Sequence, residues 1–182
     1  MVLDIIKPGS RIAELGVLTG MFSNILLQTS PSKLYLVDNW QYKMSDFVKG
    51  QTIWQYPEAS LLQVFQRFSA QIKSRNVEIH IRNVLDFLDN APPLDYIYLD
   101  DTHEYVHLKT EIRSCQAPFI FVHDYCEVFP QVKKAVDESI QELDLEIIGI
   151  TDEQKMPVFP KEDWMTDTVA YNTICLMRQG TF

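Results

Sequence analysis

Basic residues are scarce in this chain: 16 Lys and Arg stand against 25 Asp and Glu, for a formal charge of −9. Nucleic acids and anionic membrane surfaces want a basic partner, so the deficit speaks against both. Cysteine is scarce too. Cys115, Cys126 and Cys175 are odd in number and show no CxxC spacing. Neither a disulfide framework nor a zinc knuckle is suggested, and a reducing, cytoplasmic setting is expected. No apolar run approaches the roughly 20 residues of a membrane-spanning helix, and the N-terminus lacks the basic start of a signal peptide. Internal repeats, low-complexity tracts and a second domain boundary are also missing, so residues 1–182 are expected to form one domain with a sizeable core. A content of 46 % apolar residues excludes wholesale disorder.

What is present alternates between strand and helix. Short apolar segments at Arg11–Leu15, Lys33–Asp38, Val77–Ile81, 95–100, 117–123, Leu145–Ile150 and 173–177 read as seven strands. After Gly20, Phe22, Ile25 and Leu26 have the i, i+3, i+4 spacing of a buried helical face, which Ser30-Pro31-Ser32 ends. A longer helix over 59–74 places Leu61, Leu62, Phe65, Phe68 and Ile72 on one side, and others follow at Val84–Leu88, 104–114 and 131–142. The alternation predicts an α/β, Rossmann-like, doubly wound fold: a mostly parallel seven-stranded sheet with helices on both faces. Ligands of such sheets bind beyond the carboxyl ends of the strands, where strand order reverses. Four strand-end acids, Glu14, Asp38, Asp100 and Asp124, are expected to gather along that edge.

The most telling segment is 11–23, Arg-Ile-Ala-Glu-Leu-Gly-Val-Leu-Thr-Gly-Met-Phe-Ser. It reads as a buried strand, a glycine-punctuated turn and the start of a helix, with Glu14 at the strand end and Gly16 and Gly20 four apart. A missing Cβ permits positive φ and close approach to the main chain, and the helix N–H groups add a partly positive pole. An adenosine-type cofactor suits that turn. Asp38, 18 residues past Gly20, has nearly the spacing of an acid that accepts hydrogen bonds from ribose hydroxyls. The glycines are not spaced GxGxxG, which weakens a nicotinamide reading. Glu14-Leu-Gly16-x-x-x-Gly20 followed by Asp38 resembles the first motif of the class I S-adenosylmethionine-dependent methyltransferases, and the resemblance runs from Pro8 to Arg178. It implies that Glu14, Gly16 and Gly20 line the methionine side of S-adenosylmethionine and that Asp38 holds the ribose. Asn83 or Val84 would flank the adenine, and Asp100 would stand at the same edge. Ser23 matches a motif serine of related enzymes or simply faces the helix.

A second pair of segments, 99–105 (Leu-Asp-Asp-Thr-His-Glu-Tyr) and 121–125 (Phe-Val-His-Asp-Tyr), is similar to the metal-assisted small-molecule O-methyltransferases of the macrocin and cephalosporin-hydroxylase-like group. Asp100, His103 and Tyr105 match that group's Asp-x-Asp-His-x-Tyr pattern; Thr102 stands where a second Asp is usual. The resemblance implies methyl transfer to a hydroxyl of a small molecule, a sugar or secondary metabolite. Asp100 and Asp124 would hold a divalent cation, Mg²⁺ by their oxygen chemistry, which depresses the acceptor pKa. His103 would be the general base. His123 is a further ligand, a second base or a core histidine. Helix capping is the plainer role for such acids. The competing class is a non-catalytic nucleotide- or cofactor-binding module, for which Thr102 and the short lead before the first strand speak.

His103-Glu-Tyr-Val-His107 also spells HExxH, the zinc-hydrolase signature, in which two histidines share a helix face. No third ligand follows on that helix, and the methyltransferase pattern accounts for its neighbours. On the acceptor side, the connection over 39–58 carries Trp40, Tyr42, Phe47, Trp54 and Tyr56, and Phe159, Trp164 and Met165 are placed similarly between the last two strands. Either set could wall a pocket or cover the core. The link between the fourth and fifth strands lacks the usual Gly-Gly turn before 117–123, and the brief segment ahead of the first strand would leave the site open or covered by a neighbouring subunit of a homo-oligomer.

Overall fold

The computed structural model describes residues 2–41, 57–151, 154–155 and 170–179. In chain order the elements are α1 (Val2–Ile5), β1 (Arg11–Leu15), α2 (Met21–Leu26), β2 (Lys33–Asp38), α3 (Pro57–Arg67), α4 (Ser69–Lys73) and β3 (Val77–Ile81). They continue with α5 (Val84–Leu88), β4 (Tyr96–Leu99), α6 (Tyr105–Ser114), β5 (Phe119–Val122), α7 (Pro130–Leu143) and β6 (Leu145–Ile150). β7 (Gln154–Lys155) and β8 (Ala170–Tyr171) pair as a two-stranded ribbon before β9 (Ile174–Arg178).

The main sheet has the order β3-β2-β1-β4-β5-β9-β6. Its first five strands are parallel, and β9 runs antiparallel between β5 and β6. β1, β2, β4 and β5 are almost wholly buried, as strands covered on both faces must be, so their sequences are continuous apolar runs. Alternate residues feed two cores. Ala13, Leu15, Val37, Ile97, Leu99, Ile120 and Val122 meet α5, α6 and α7 through Phe87, Ile112 and Val136. Ile12, Leu34, Leu36, Tyr96, Tyr98 and Phe121 meet α2 and α3 through Leu26, Val64 and Phe68. No helix among the described residues is long and apolar enough to cross a membrane.

Register is what positions the site. Leu15 pairs with Val37 on one side and with Leu99 on the other, and Leu99 pairs with Val122. The four central strands therefore end level, and the residues just past them, Gly16, Asp38, Asp100 and His123, share one rim. Strand order reverses there, between β1 and β4.

Two helices differ from expectation. The helix expected over 59–74 is broken at Phe68, whose backbone leaves the helical region (φ −107°, ψ 17°). Ser60, Val64 and Phe68 are its buried residues among those described, whereas Leu62 and Phe65 are 56 % and 41 % exposed, so the buried stripe is offset from the one expected. On α2, Ser23 and Leu26 turn inward and Ile25 outward, because the inner face must accommodate Glu14 as well as the apolar core.

Candidate active site

The turn after β1 is built by glycine geometry and by one carboxylate. Gly16 has φ +88°, and a Cβ there would lie 2.2 Å from the backbone oxygen of Asp100. Gly20 has φ +72°, and a Cβ there would lie 2.6 Å from the Phe68 ring. Each glycine lets protein approach protein: the first seats the turn on the end of β4, the second seats the start of α2 beneath Phe68. Asp38 then ties the turn down. Its Oδ2 accepts the backbone N–H groups of Val17 (2.8 Å) and Leu18 (3.0 Å), and its Oδ1 accepts that of Trp40 (2.7 Å). Trp40 returns the tie by donating its indole N–H to the Leu18 carbonyl at 2.9 Å. Asp38 is 1 % exposed, so its visible work is holding the turn.

Negative charge converges on the rim. Asp100 sits just past β4 with an open side, yet protein crowds it closely. That desolvation, then the charges of Asp124, Glu14, Asp101 and Asp38, hold its carboxyl well above the ordinary carboxylate range. Asp100 thus feels the charge of the other three strand-end acids. Glu14, one residue inside β1, is 1 % exposed, and its Oε2 has no hydrogen-bond donor. Burial pushes its carboxyl up to about 8; the adjacent Ser23 hydroxyl works against that shift and the Asp38 charge adds to it. Ser23 thus stands against Glu14 from α2.

Past β5 the polar groups connect. Asp124 has φ +58°, a left-handed conformation that is strained for a residue with a Cβ and that clusters at functional sites. Its Oδ2 lies 2.7 Å from His103 Nε2, and its Oδ1, which has no hydrogen-bond donor, lies 3.4 Å from His123 Nε2. His103 is half exposed and stacks on Phe129 with ring centroids 4.4 Å apart. His123 Nδ1 lies 3.2 Å from Thr173 Oγ1, which in turn lies 3.4 Å from the Tyr98 hydroxyl. Desolvation lowers the His123 pKa, against the pull of Asp124 and in concert with His103. Asp100, His123 and Asp124 each offer a ligand atom, all within 4.8 Å of one another. Sequence reading missed Thr173 and Phe129, which have no motif and reach the site only through tertiary packing.

Other expected residues go elsewhere. Asn83 caps α5 by accepting the Leu85 N–H at 2.9 Å, and Val84 is buried in the core. The HExxH reading fails on geometry. His103 lies ahead of α6, whose cap is Glu104, and binds Asp124; His107 lies on α6 beside Glu111. Tyr105 joins α6 to α7 by donating to Glu138, in a cluster where Lys109 also bridges Glu138 (2.6 Å) and Glu142 (2.7 Å). Tyr42, Phe47, Trp54, Tyr56, Phe159, Trp164 and Met165 lie outside the described residues.

No family model and no curated protein matches the chain. Solved structures do. A SAM-dependent O-methyltransferase from Thermotoga maritima is similar at a TM-score of 0.60 and 18 % identity, over 98 % of this chain and 62 % of that one. A protein from Streptococcus mutans solved in complex with SAH is similar at 0.56 and 12 % identity, over 96 % of this chain and 93 % of that one. The chain shares a Rossmann-like α/β fold with these methyltransferases. The precorrin 8w decarboxylase of Methanobacterium thermoautotrophicum shares it too, at 0.62 and 14 % identity over 97 % of this chain and 86 % of that one. At such identities the likeness is one of fold. Within the methyltransferase fold, chemistry has to be argued from the rim itself.

Proposed function

We propose that this chain binds S-adenosylmethionine at the turn after β1 and transfers its methyl group to a hydroxyl of a small molecule. The observation that carries this reading is Asp100 at the strand-order reversal, within the field of Glu14, Asp38 and Asp124 and clustered with His123 and Asp124. A carboxylate as buried as Glu14, with an oxygen that lacks a donor, is costly unless a cation or a proton meets it. The ammonium and sulfonium of that cofactor supply positive charge of the right kind, so the residues present fit the group. When bound, the cofactor supplies an electrophilic methyl carbon.

The chain's own part is alignment and proton removal. A carboxylate only accepts hydrogen bonds, so the 2.7 Å contact makes His103 Nε2 the donor to Asp124 and leaves Nδ1 free of that proton. Phe129 holds the ring by stacking. His103 thereby becomes a base whose tautomer and orientation are set before an acceptor arrives. Asp100, Asp124 and His123 would hold a divalent cation of the Mg²⁺ or Mn²⁺ type, whose chemistry is to lower the acceptor hydroxyl's proton affinity. The deficit of basic surface supports a small acceptor over a nucleic acid.

Calorimetry with S-adenosylmethionine, with and without Mg²⁺, followed by turnover on a panel of hydroxylated acceptors, tests the reading. Cofactor binding with metal-dependent methyl transfer supports it. Binding that never yields turnover on any acceptor favours a cofactor-binding module, and no binding at all removes both.

A further inference from the structure

Consecutive residues at the end of β4 point their carboxylates into two different clusters. Asp100 joins His123 and Asp124, as above, whereas Asp101 joins His107 and Glu111 of α6. The second cluster is unused by the proposed reaction. His107 and Glu111 are four apart on α6 and so share a face, and Asp101 reaches that face from the loop before the helix.

Glu111 is the anomaly. It is 0 % exposed, it belongs to the helix face that also buries Leu108 and Ile112, and neither of its carboxyl oxygens has a hydrogen-bond partner. His107 Nε2 lies 3.3 Å from Oε1, yet that nitrogen also lacks a hydrogen bond. An isolated buried carboxylate costs several kcal/mol, so such an arrangement persists only where a cation or a proton satisfies it. Two carboxyls and an imidazole thus face one another.

We propose that Asp101, His107 and Glu111 form a second divalent-cation site, a three-ligand centre for a Zn²⁺-class metal whose coordination is completed by water. All three ligand atoms lie within 4.8 Å of one another. Tetrahedral ligation at about 2.0–2.1 Å places ligand atoms roughly 3.4 Å apart, a contraction of at most about 1.4 Å from the 4.8 Å bound. Asp101 and His107, both half-buried at the loop and the first turn of α6, are the parts free to make it. One imidazole with two carboxylates suits Zn²⁺ and its first-row neighbours, whereas Mg²⁺ prefers oxygen alone. Glu111 anchors the metal in the helix core and Asp101 ties it to the loop, so an occupied centre clamps the loop that carries Asp100 and His103. The site stands or falls independently of methyl transfer.

The test is Zn²⁺ binding to chelator-treated full-length protein, measured by competition with a chromophoric chelator, with thermal unfolding alongside. The expected result is one more equivalent bound, and a higher melting temperature on Zn²⁺ addition, in the wild type than in His107→Ala. That variant removes a half-exposed ligand and leaves the core intact; Asp101→Asn should also weaken this equivalent by at least ~10-fold. Asp124→Asn, which alters the other cluster, should retain it. The proposal is overturned if wild type and His107→Ala bind the same number of equivalents, zero included. It is also overturned if Zn²⁺ leaves the melting temperature unmoved while Glu111→Gln matches the wild type in stability. Glu111 and Asp101 would then be a carboxyl pair sharing a proton.

Discussion

His103 Nε2 lies 2.7 Å from Asp124 Oδ2, although the two residues come from different strand ends, 21 positions apart in the chain. Asp124 reaches this contact from a left-handed backbone (φ +58°), while its other oxygen turns toward His123. One carboxylate thereby links a prospective base to a prospective metal cluster, and this link motivates the first two predictions.

His103→Ala should lower methyl-transfer turnover by about 10²-fold or more, the usual contribution of a positioned base. Cofactor affinity should stay nearly unchanged. Single-turnover kinetics beside calorimetry checks both, and full activity would mean that another group takes the proton.

Asp124→Asn should reduce turnover and also the response to added Mg²⁺, since it alters the His103 contact and one member of the Asp100–His123–Asp124 cluster. Removing divalent metal from the wild type with a chelator should likewise suppress activity, and Mg²⁺ or Mn²⁺ should restore it. Chelator-resistant turnover would remove the metal from the reaction.

Asp38→Ala should weaken cofactor binding by about 1–3 kcal/mol, and the geometry now adds a loss of fold stability. Three backbone N–H groups lose a charged acceptor, each such bond being worth roughly 1.5–3 kcal/mol where it cannot be replaced by water. Urea unfolding separates the two effects. A variant with wild-type stability and weakened binding would return Asp38 to direct cofactor contact.

Gly16→Ala should be poorly tolerated. The new Cβ meets the Asp100 backbone at 2.2 Å and sits at φ +88°. Strain and overpacking together should destabilise the protein by about 2–4 kcal/mol, read by the shift in urea midpoint.

Glu14 makes stability depend on pH in a defined direction. Its carboxyl is near 4.5 when unfolded and about 8 when folded, so between those values the folded state holds a proton that the unfolded state has released. Stability therefore falls as pH rises through that window, by up to about 1.4 kcal/mol per pH unit for one group. Glu14→Gln should flatten this slope between pH 5 and pH 8 in chemical denaturation, and an unchanged slope would show that other groups set it.

Much of the frame was readable along the chain. β1, β2 and β3 occupy the residues expected, and the strand–helix alternation led to the mostly parallel sheet, because buried parallel strands must be continuous apolar runs and helices must return the chain across them. The acids at strand ends were equally visible, since a polar residue stands out against an apolar run, but the sequence did not show that Glu14, Asp38 and Asp124 are buried. Helix faces were less so. The periodicity of 59–74 admitted two neighbouring stripes, and the break at Phe68 chose Val64 over Phe65.

Local sequence determined the strands, the glycine turn and the candidate acids, all of which follow from burial pattern and backbone conformation within a few residues. Partnership was decided by the fold. Strand register brought Asp100 into the field of Glu14, Asp38 and Asp124 and turned His103 toward Asp124. Those outcomes depend on distances between segments far apart in the chain, and periodicity and spacing carry no information about which side chains such packing will bring face to face.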